Sequence, residues 1–207
     1  MFLNELFPNK CMVCGKNINF RKLICESCED SLFQSSFINK NNKIIYFAGL
    51  YEEPLSRLIK EFKFKQNTHF ANIFAKLIYK TYKYYNIEFN DLPEILYIPS
   101  TKKHLKIRGY NPVYLIAKEF SKITGFPLRK NLKIQKGYSK AQVETKSYFE
   151  RTQQVKNKFI FEGNSNKNKR YILIDDVYTT GATIREAINI IEGEVIPIIL
   201  CRNVKNV

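Results

Sequence analysis

The sequence has no apolar run of the roughly 18–20 residues that spans a bilayer, so no membrane-crossing helix is expected. Its first residues, Met1 to Lys10, lack a basic n-region and a long apolar stretch. A signal peptide is therefore not expected, and cytoplasm is the expected compartment. No Walker loop and no dinucleotide fingerprint occurs, which removes two common glycine-rich phosphate cradles. Internal repeats are absent as well, which excludes solenoids and propellers. Histidine is scarce: His69 and His104 are the only two. Neither has a partner legible in the sequence, so both read as exposed loop residues, although His104 lies where it could carry a proton.

Acidic residues are also few, 19 against 34 basic ones, for a formal charge of +15. The excess is uneven. Residues 1–43 carry +2, residues 44–170 carry +15 and residues 171–207 carry −2. A basic middle segment suits a polyanionic partner, whether diphosphate or nucleic acid, though a lysine-rich composition can produce the same charge with no binding role. At 207 residues, 44% of them hydrophobic, the chain can form one full domain with a real core plus a small appendage.

What the chain does contain is concentrated in Tyr171-Ile-Leu-Ile-Asp-Asp-Val-Tyr-Thr-Thr-Gly-Ala-Thr183. Four apolar residues run into two carboxylates, then a polar loop. After it Ile184, Ala187, Ile188 and Ile191 repeat at helical spacing. This is a buried strand, a loop and a helix start. Unpaired backbone N–H groups at a helix start attract phosphate. Gly181 permits close approach, and Thr179, Thr180 and Thr183 add hydroxyls. Asp175 and Asp176 would repel a phosphate; as acceptors they suit a sugar diol or a bound cation. Phosphate donors beside diol acceptors describe a ribose 5-phosphate pocket. The plainer alternative is a strand ending in a solvated Asp-Asp turn, with threonines capping a helix.

Cys11-x-x-Cys14 and Cys25-x-x-Cys28 form two knuckles ten residues apart, with Gly15 after the first pair. Four thiolates at this spacing fit tetrahedral zinc, and a segment too short for its own core gains from a metal staple. With every position a cysteine, no open site remains, so such a zinc holds structure only. Two disulfides are the competing reading, disfavoured in a reducing compartment, and a redox dithiol lacks its βαβ context. Cys201 stands alone in an apolar run and reads as core.

Between these motifs, residues 29–43 read as a short helix and a polar linker, and Ile44–Tyr51 as a strand. Two amphipathic helices follow. The first, opened by Pro54, carries Lys60, Lys63 and Lys65 near Phe62 and Phe64. That interleaving suits nucleic acid or simply a solvated helix face. Ile95–Ile98 is a second buried strand, ending at Pro99-Ser100-Thr101. A cationic loop follows with Lys102, Lys103 and Arg108, and then Asn111-Pro112, a good helix opening. This second strand–loop–helix unit could hold a diphosphate. Leu128–Ile134 and Phe159–Phe161 read as strands, residues 136–158 as a flap over a site, and Glu194–Cys201 as a last strand.

The string Tyr171–Thr183 resembles the phosphoribosyl-diphosphate (PRPP) binding loop of the type I phosphoribosyltransferases. With the four cysteines before it, Arg108-Gly109-Tyr110-Asn111, and Gln142 with Arg151, the whole chain resembles the ComF family. Tyr110, Pro112 and Gln154 stand where that family commonly has Phe, Gln and Asn.

The resemblance implies an α/β fold: a type I phosphoribosyltransferase-like parallel sheet over residues 44–207, with flanking helices and a flap. A small zinc module and linker would occupy residues 1–43. It implies ribose or Mg²⁺ contacts at Asp175 and Asp176, and a 5-phosphate loop of Val177, Tyr178, Thr179, Thr180, Gly181, Ala182 and Thr183. Diphosphate contacts would fall at Ser100, Thr101, Lys102, Lys103 and Arg108, and flap contacts at Lys140, Gln142 and Arg151. It further implies a cytoplasmic role in natural transformation, handling single-stranded DNA beside a helicase-like partner. Two hypotheses remain: a component of DNA uptake that binds PRPP and DNA, and an active phosphoribosyltransferase whose acceptor the sequence does not name; a PRPP-sensing regulator that binds RNA is a third option.

Overall fold

A computed structural model describes residues 9–40, 42–136, 138, 157–163 and 168–204. Its frame is a five-stranded sheet. The strands are β3 (Ser36–Lys40), β4 (Lys43–Leu50), β5 (Glu94–Tyr97), β8 (Arg170–Tyr178) and β9 (Glu194–Arg202), in spatial order β3-β4-β9-β8-β5. The pairs β4–β9, β9–β8 and β8–β5 are parallel, and β3 is an antiparallel edge. The α/β class is as expected, with a mixed rather than wholly parallel sheet.

The difference lies at residues 36–40, expected as linker. They form β3, paired with β4 from Ser36↔Phe47 to Lys40↔Lys43. Asn42 turns the hairpin at φ 58°, a left-handed conformation that asparagine tolerates. Phe37 then meets Tyr46 across the strands, with ring centroids 6.4 Å apart. A strand this short and polar is held by its neighbour more than by its own pattern.

Both faces of the sheet are covered, which is why its strands read as continuous apolar runs instead of alternating ones. One face carries α2 (Leu55–Phe64), α3 (Phe70–Tyr84) and α5 (Pro112–Thr124). Leu58, Phe62, Phe74, Leu77, Ile116 and Phe120 from these helices pack on Ile95, Ile172 and Ile174. The other face carries α6 (Ala182–Ile190) and the hairpin of β6 (Leu132–Ile134) with β7 (Phe159–Phe161). There Ile184, Ala187, Leu132 and Phe159 pack on Leu96, Tyr171 and Leu173. Each fully buried Phe or Leu contributes about 1.5–3 kcal/mol. Leu128, expected inside a strand, makes only an isolated parallel bridge to Ile95.

The N-terminal module is built differently. The strands β1 (Asn9–Lys10) and β2 (Asn17–Ile18) are two residues each, and α1 (Glu26–Ser31) has no buried residue. Cys11, Ile24 and Leu32 are its buried anchors. Lys76 of α3 lies 3.5 Å from Glu29, Lys80 pairs with Asp30, and Phe33 meets Tyr84 edge-on. Among the described residues no helix is long and apolar enough to cross a membrane.

Candidate functional site

Adjacent strands β5 and β8 send their chains to opposite faces of the sheet. After β5 the chain enters α4 (Lys102–Arg108) and then α5 on one face, whereas β8 leads into α6 on the other. In open α/β sheets, ligands bind in the crevice that such a divergence opens outside the carboxyl ends of the strands. Ile98 N–H donates to Ile174 O at 3.0 Å, so Ser100–Thr101 leave the sheet beside Asp175–Asp176, which stay in β8 and paired with β9. The expected diol and diphosphate groups, 75 residues apart in sequence, thus stand at one edge.

Asp175 and Asp176 are each 8% exposed, which rules out a solvated Asp-Asp turn. Asp175 Oδ1 accepts the Asp176 N–H at 2.8 Å. Burial and then the neighbouring Asp176 charge push the Asp175 carboxyl up to about 7. Asp176 is neutralised by Lys63, whose Nζ lies 2.7 Å from its Oδ1. Its backbone oxygen accepts the thiol of buried Cys201 at 3.3 Å, so Cys201 is core as expected.

The loop that follows is tightly wound. Gly181 has φ 72°, and a Cβ there would stand 2.3 Å from Tyr178 Oη, so conformation and space both require glycine. Thr180 Oγ1 accepts from Ala182 N–H at 3.4 Å, and Arg185 Nη1 donates to Thr180 O at 2.9 Å. Tyr178, Thr180 and Ala182 are buried, while Val177, Thr179 and Thr183 are half-buried.

The cationic segment after β5 is a short helix, not the loop expected. Thr101 Oγ1 accepts from His104 N–H at the start of α4, and Gly109 closes the helix at φ 77°. His104 therefore lies half-buried on a helix instead of exposed in a loop; His69 is exposed, at the N-cap of α3. Ser100 and Thr101 are half-buried, and Lys102 and Lys103 are exposed. The Arg108 guanidinium lies 5.0 Å from the Phe64 ring centroid, and its buried Nε has no hydrogen-bond partner. Asn111 ties the next helix to the sheet: Oδ1 accepts from Val113 and Tyr114 N–H, and Nδ2 donates to Ile98 O at 3.2 Å. The flap residues Lys140, Gln142 and Arg151 lie outside the described residues.

Sequence reasoning missed Lys63 as a site residue. It sits one position past the buried face of α2, beside Phe62, and nothing in the spacing says that this helix ends at the mouth of β8. Arg202, at the carboxyl end of β9 beside Tyr178, lies over the Phe47 ring, and its buried Nε has no hydrogen-bond partner.

The cysteines form a second centre. The four Sγ atoms lie within 4.8 Å of one another, and Cys14 and Cys25 Sγ are 3.8 Å apart. Tetrahedral zinc at about 2.3 Å from each sulfur needs sulfurs roughly 3.8 Å apart, so the donor set fits that metal. It does not fit disulfides, whose sulfurs are about 2.05 Å apart. Gly15 turns the first knuckle at φ 74° with its N–H on Cys11 O, and the Cys25 N–H donates to Cys11 Sγ at 3.3 Å. Burial works against the Cys11 thiolate, but backbone N–H groups of Cys14, Cys25 and Val13 outweigh it and bring the thiol down to about 6. The hydrogen bond with Cys25 pushes Cys28 up to about 12. Four thiolates this close repel one another unless a cation lies between them.

Fold and sites together define an α/β protein with buried carboxylates and a cationic helix at the sheet's carboxyl edge and a four-cysteine cluster that fits a metal. The chain is 30% identical over 183 residues, 85% of its length, to Competence protein F of Haemophilus influenzae, covering 75% of that protein. It is 26% identical over 191 residues to Competence protein ComFC of Bacillus subtilis, covering 72% of it. No family model matches the chain. The chain belongs to the competence protein F (ComF) family.

Proposed function

We propose that this chain binds PRPP with Mg²⁺ in the crevice between β5 and β8 and handles single-stranded DNA during natural transformation. The observation that carries the sugar site is the pairing of two unlike loops on adjacent parallel strands. One follows buried carboxylates carried near the end of strand β8, the other opens on Thr101 and carries the cations Lys102, Lys103 and Arg108. A molecule with hydroxyls at one end and a diphosphate at the other matches that polarity. Asp175 and Asp176 would take the ribose hydroxyls or the Mg²⁺, a hard cation suited to carboxylate oxygens. Bound Mg²⁺ would supply charge neutralisation for the diphosphate. Ser100, Thr101 and Arg108 orient the diphosphate, and the turn at Thr179–Thr183 holds the 5-phosphate on backbone N–H groups.

The competence role is supported by the two named relatives, and single-stranded DNA by the +15 charge of residues 44–170. A helicase-like partner and a cytoplasmic location belong to the same reading. So does a structural zinc in the four-cysteine module.

A second reading is catalytic. The carbon bearing the diphosphate would sit between the two strand ends, open to a nucleophile. A bond from acceptor nitrogen to that carbon would form as its bond to the diphosphate oxygen breaks, and the cationic helix would receive the departing charge.

Calorimetry with PRPP and Mg²⁺ tests the pocket. Replacing Asp175 and Asp176 together by alanine is expected to abolish binding with the fold retained; unchanged affinity would refute the site. Release of diphosphate on adding any nucleobase favours the transferase. Single-stranded DNA affinity is expected to fall with salt with a log–log slope of about −0.7 per phosphate contacted, and a flat response would remove the phosphate-led interface.

A further inference from the structure

The last turn of α2 touches both halves of the crevice. Lys63 on this turn lies 2.7 Å from Asp176, with the two side chains only 16% and 12% exposed. Next to it, Phe64 lies against the Arg108 guanidinium, and the Phe62 carbonyl accepts the hydroxyl of Tyr110. One helix end therefore reads the carboxylate strand and the cationic helix at once.

An ammonium this close occupies the oxygen that a sugar hydroxyl or a divalent cation would need. A largely buried carboxylate does not give up its counter-ion unless another positive charge or donor replaces it. A released lysine has three donors and a flexible stem, and the phosphate oxygens of the arriving ligand are the anions within the same crevice.

We propose that Lys63 is the resident counter-ion of the sugar site: it holds Asp176 while the site is empty, is displaced by the incoming cation or diol, and then neutralises phosphate oxygens. This rests on the PRPP reading given above. It makes the pocket self-neutralising when empty, and it couples cation entry to phosphate capture through one side chain.

The test uses the full zinc-loaded chain and two probes. Mn²⁺ alone, followed by electron paramagnetic resonance, reports the carboxylate site. PRPP at saturating Mg²⁺, followed by calorimetry, reports the whole pocket. Lys63→Met is expected to bind Mn²⁺ about tenfold tighter, because its competitor is gone, and PRPP about tenfold weaker, because a phosphate partner is gone. Lys63→Arg should stay near wild type in both. Opposite shifts from one substitution are not produced by a residue that merely supports the fold. Mn²⁺ affinity unchanged or lowered in Lys63→Met overturns the proposal, as does undiminished PRPP affinity. Tighter Mn²⁺ in a protein that never binds PRPP upholds the counter-ion role and overturns the sugar reading alone. If Lys63→Met fails to fold, Lys63→Gln carries the same two titrations, since it removes the charge but keeps a donor for Asp176.

Discussion

The cysteine module and the carboxyl edge of the sheet are built in opposite ways. The module has two-residue strands, a six-residue helix with nothing buried, and four sulfurs crowded together. A metal held by those sulfurs would supply its order. The carboxyl edge stands on a sheet packed on both faces, and its acidic groups Asp175 and Asp176 are buried there. There the fold would precede any ligand. Removing the binding groups should therefore unmake one region and relax the other.

The largest contrast is expected from the cysteines. Zinc binding in small finger modules is worth about 10–16 kcal/mol, nearly all of it folding energy. Cys11→Ser with Cys14→Ser should lose stoichiometric metal by elemental analysis and expose the N-terminal module to limited proteolysis. The main thermal transition should survive, lowered by the lost contacts of Ile24 and Leu32. A metal-free protein with an intact module would erase the distinction drawn here.

Asp175 should behave in the reverse way. Its carboxyl is raised to about 7 in the fold against about 3.8 unfolded. Between those values the folded chain holds a proton that the unfolded chain has lost, so stability falls as pH rises from about 4 to 7 and levels off above. Asp175→Asn removes the buried charge. It should stabilise the protein by about 1–3 kcal/mol at pH 8 and flatten that slope in urea titrations. Hydroxyl donors or a cation favour the ionised carboxylate. PRPP binding should therefore strengthen as pH climbs to about 7 and release a proton below it, measurable by calorimetry in two buffers. A stability that rises over the same interval would reverse the sign of the argument.

The smallest effect separates scaffold from site. Asn111 caps α5 through two N–H groups and bonds to the end of β5. Asn111→Ala should cost about 1–2 kcal/mol in stability, with PRPP affinity reduced only a few-fold through looser positioning. A complete loss of binding would make Asn111 part of the pocket and not of its frame.

Much of this was legible from local patterns, and the gaps have physical causes. The run from Tyr171 to Thr183 announced strand β8, the turn and α6, because burial on both faces and a glycine-dependent turn leave marks on consecutive residues. The cysteine spacing announced the four-cysteine cluster for the same reason. Residues 36–40 did not announce β3, since an edge strand draws its hydrogen bonds from a partner and needs little pattern of its own. The segment Lys102–Arg108 read as loop because seven residues with four cations carry no apolar stripe; Thr101 and Gly109 set its ends. Lys63 was seen as one charge in an amphipathic helix, and its partner lies 113 positions away.

By itself the sequence determined the α/β class, the strand–turn–helix units and the chemistry each loop offers, because these depend on residues within a few positions of one another. Only the tertiary structure decided that β5 and β8 are neighbours, that their loops share one edge, and that α2 brings an ammonium onto Asp176. Strand order and helix docking are set by contacts between segments distant along the chain, and no local periodicity encodes which of those segments will meet.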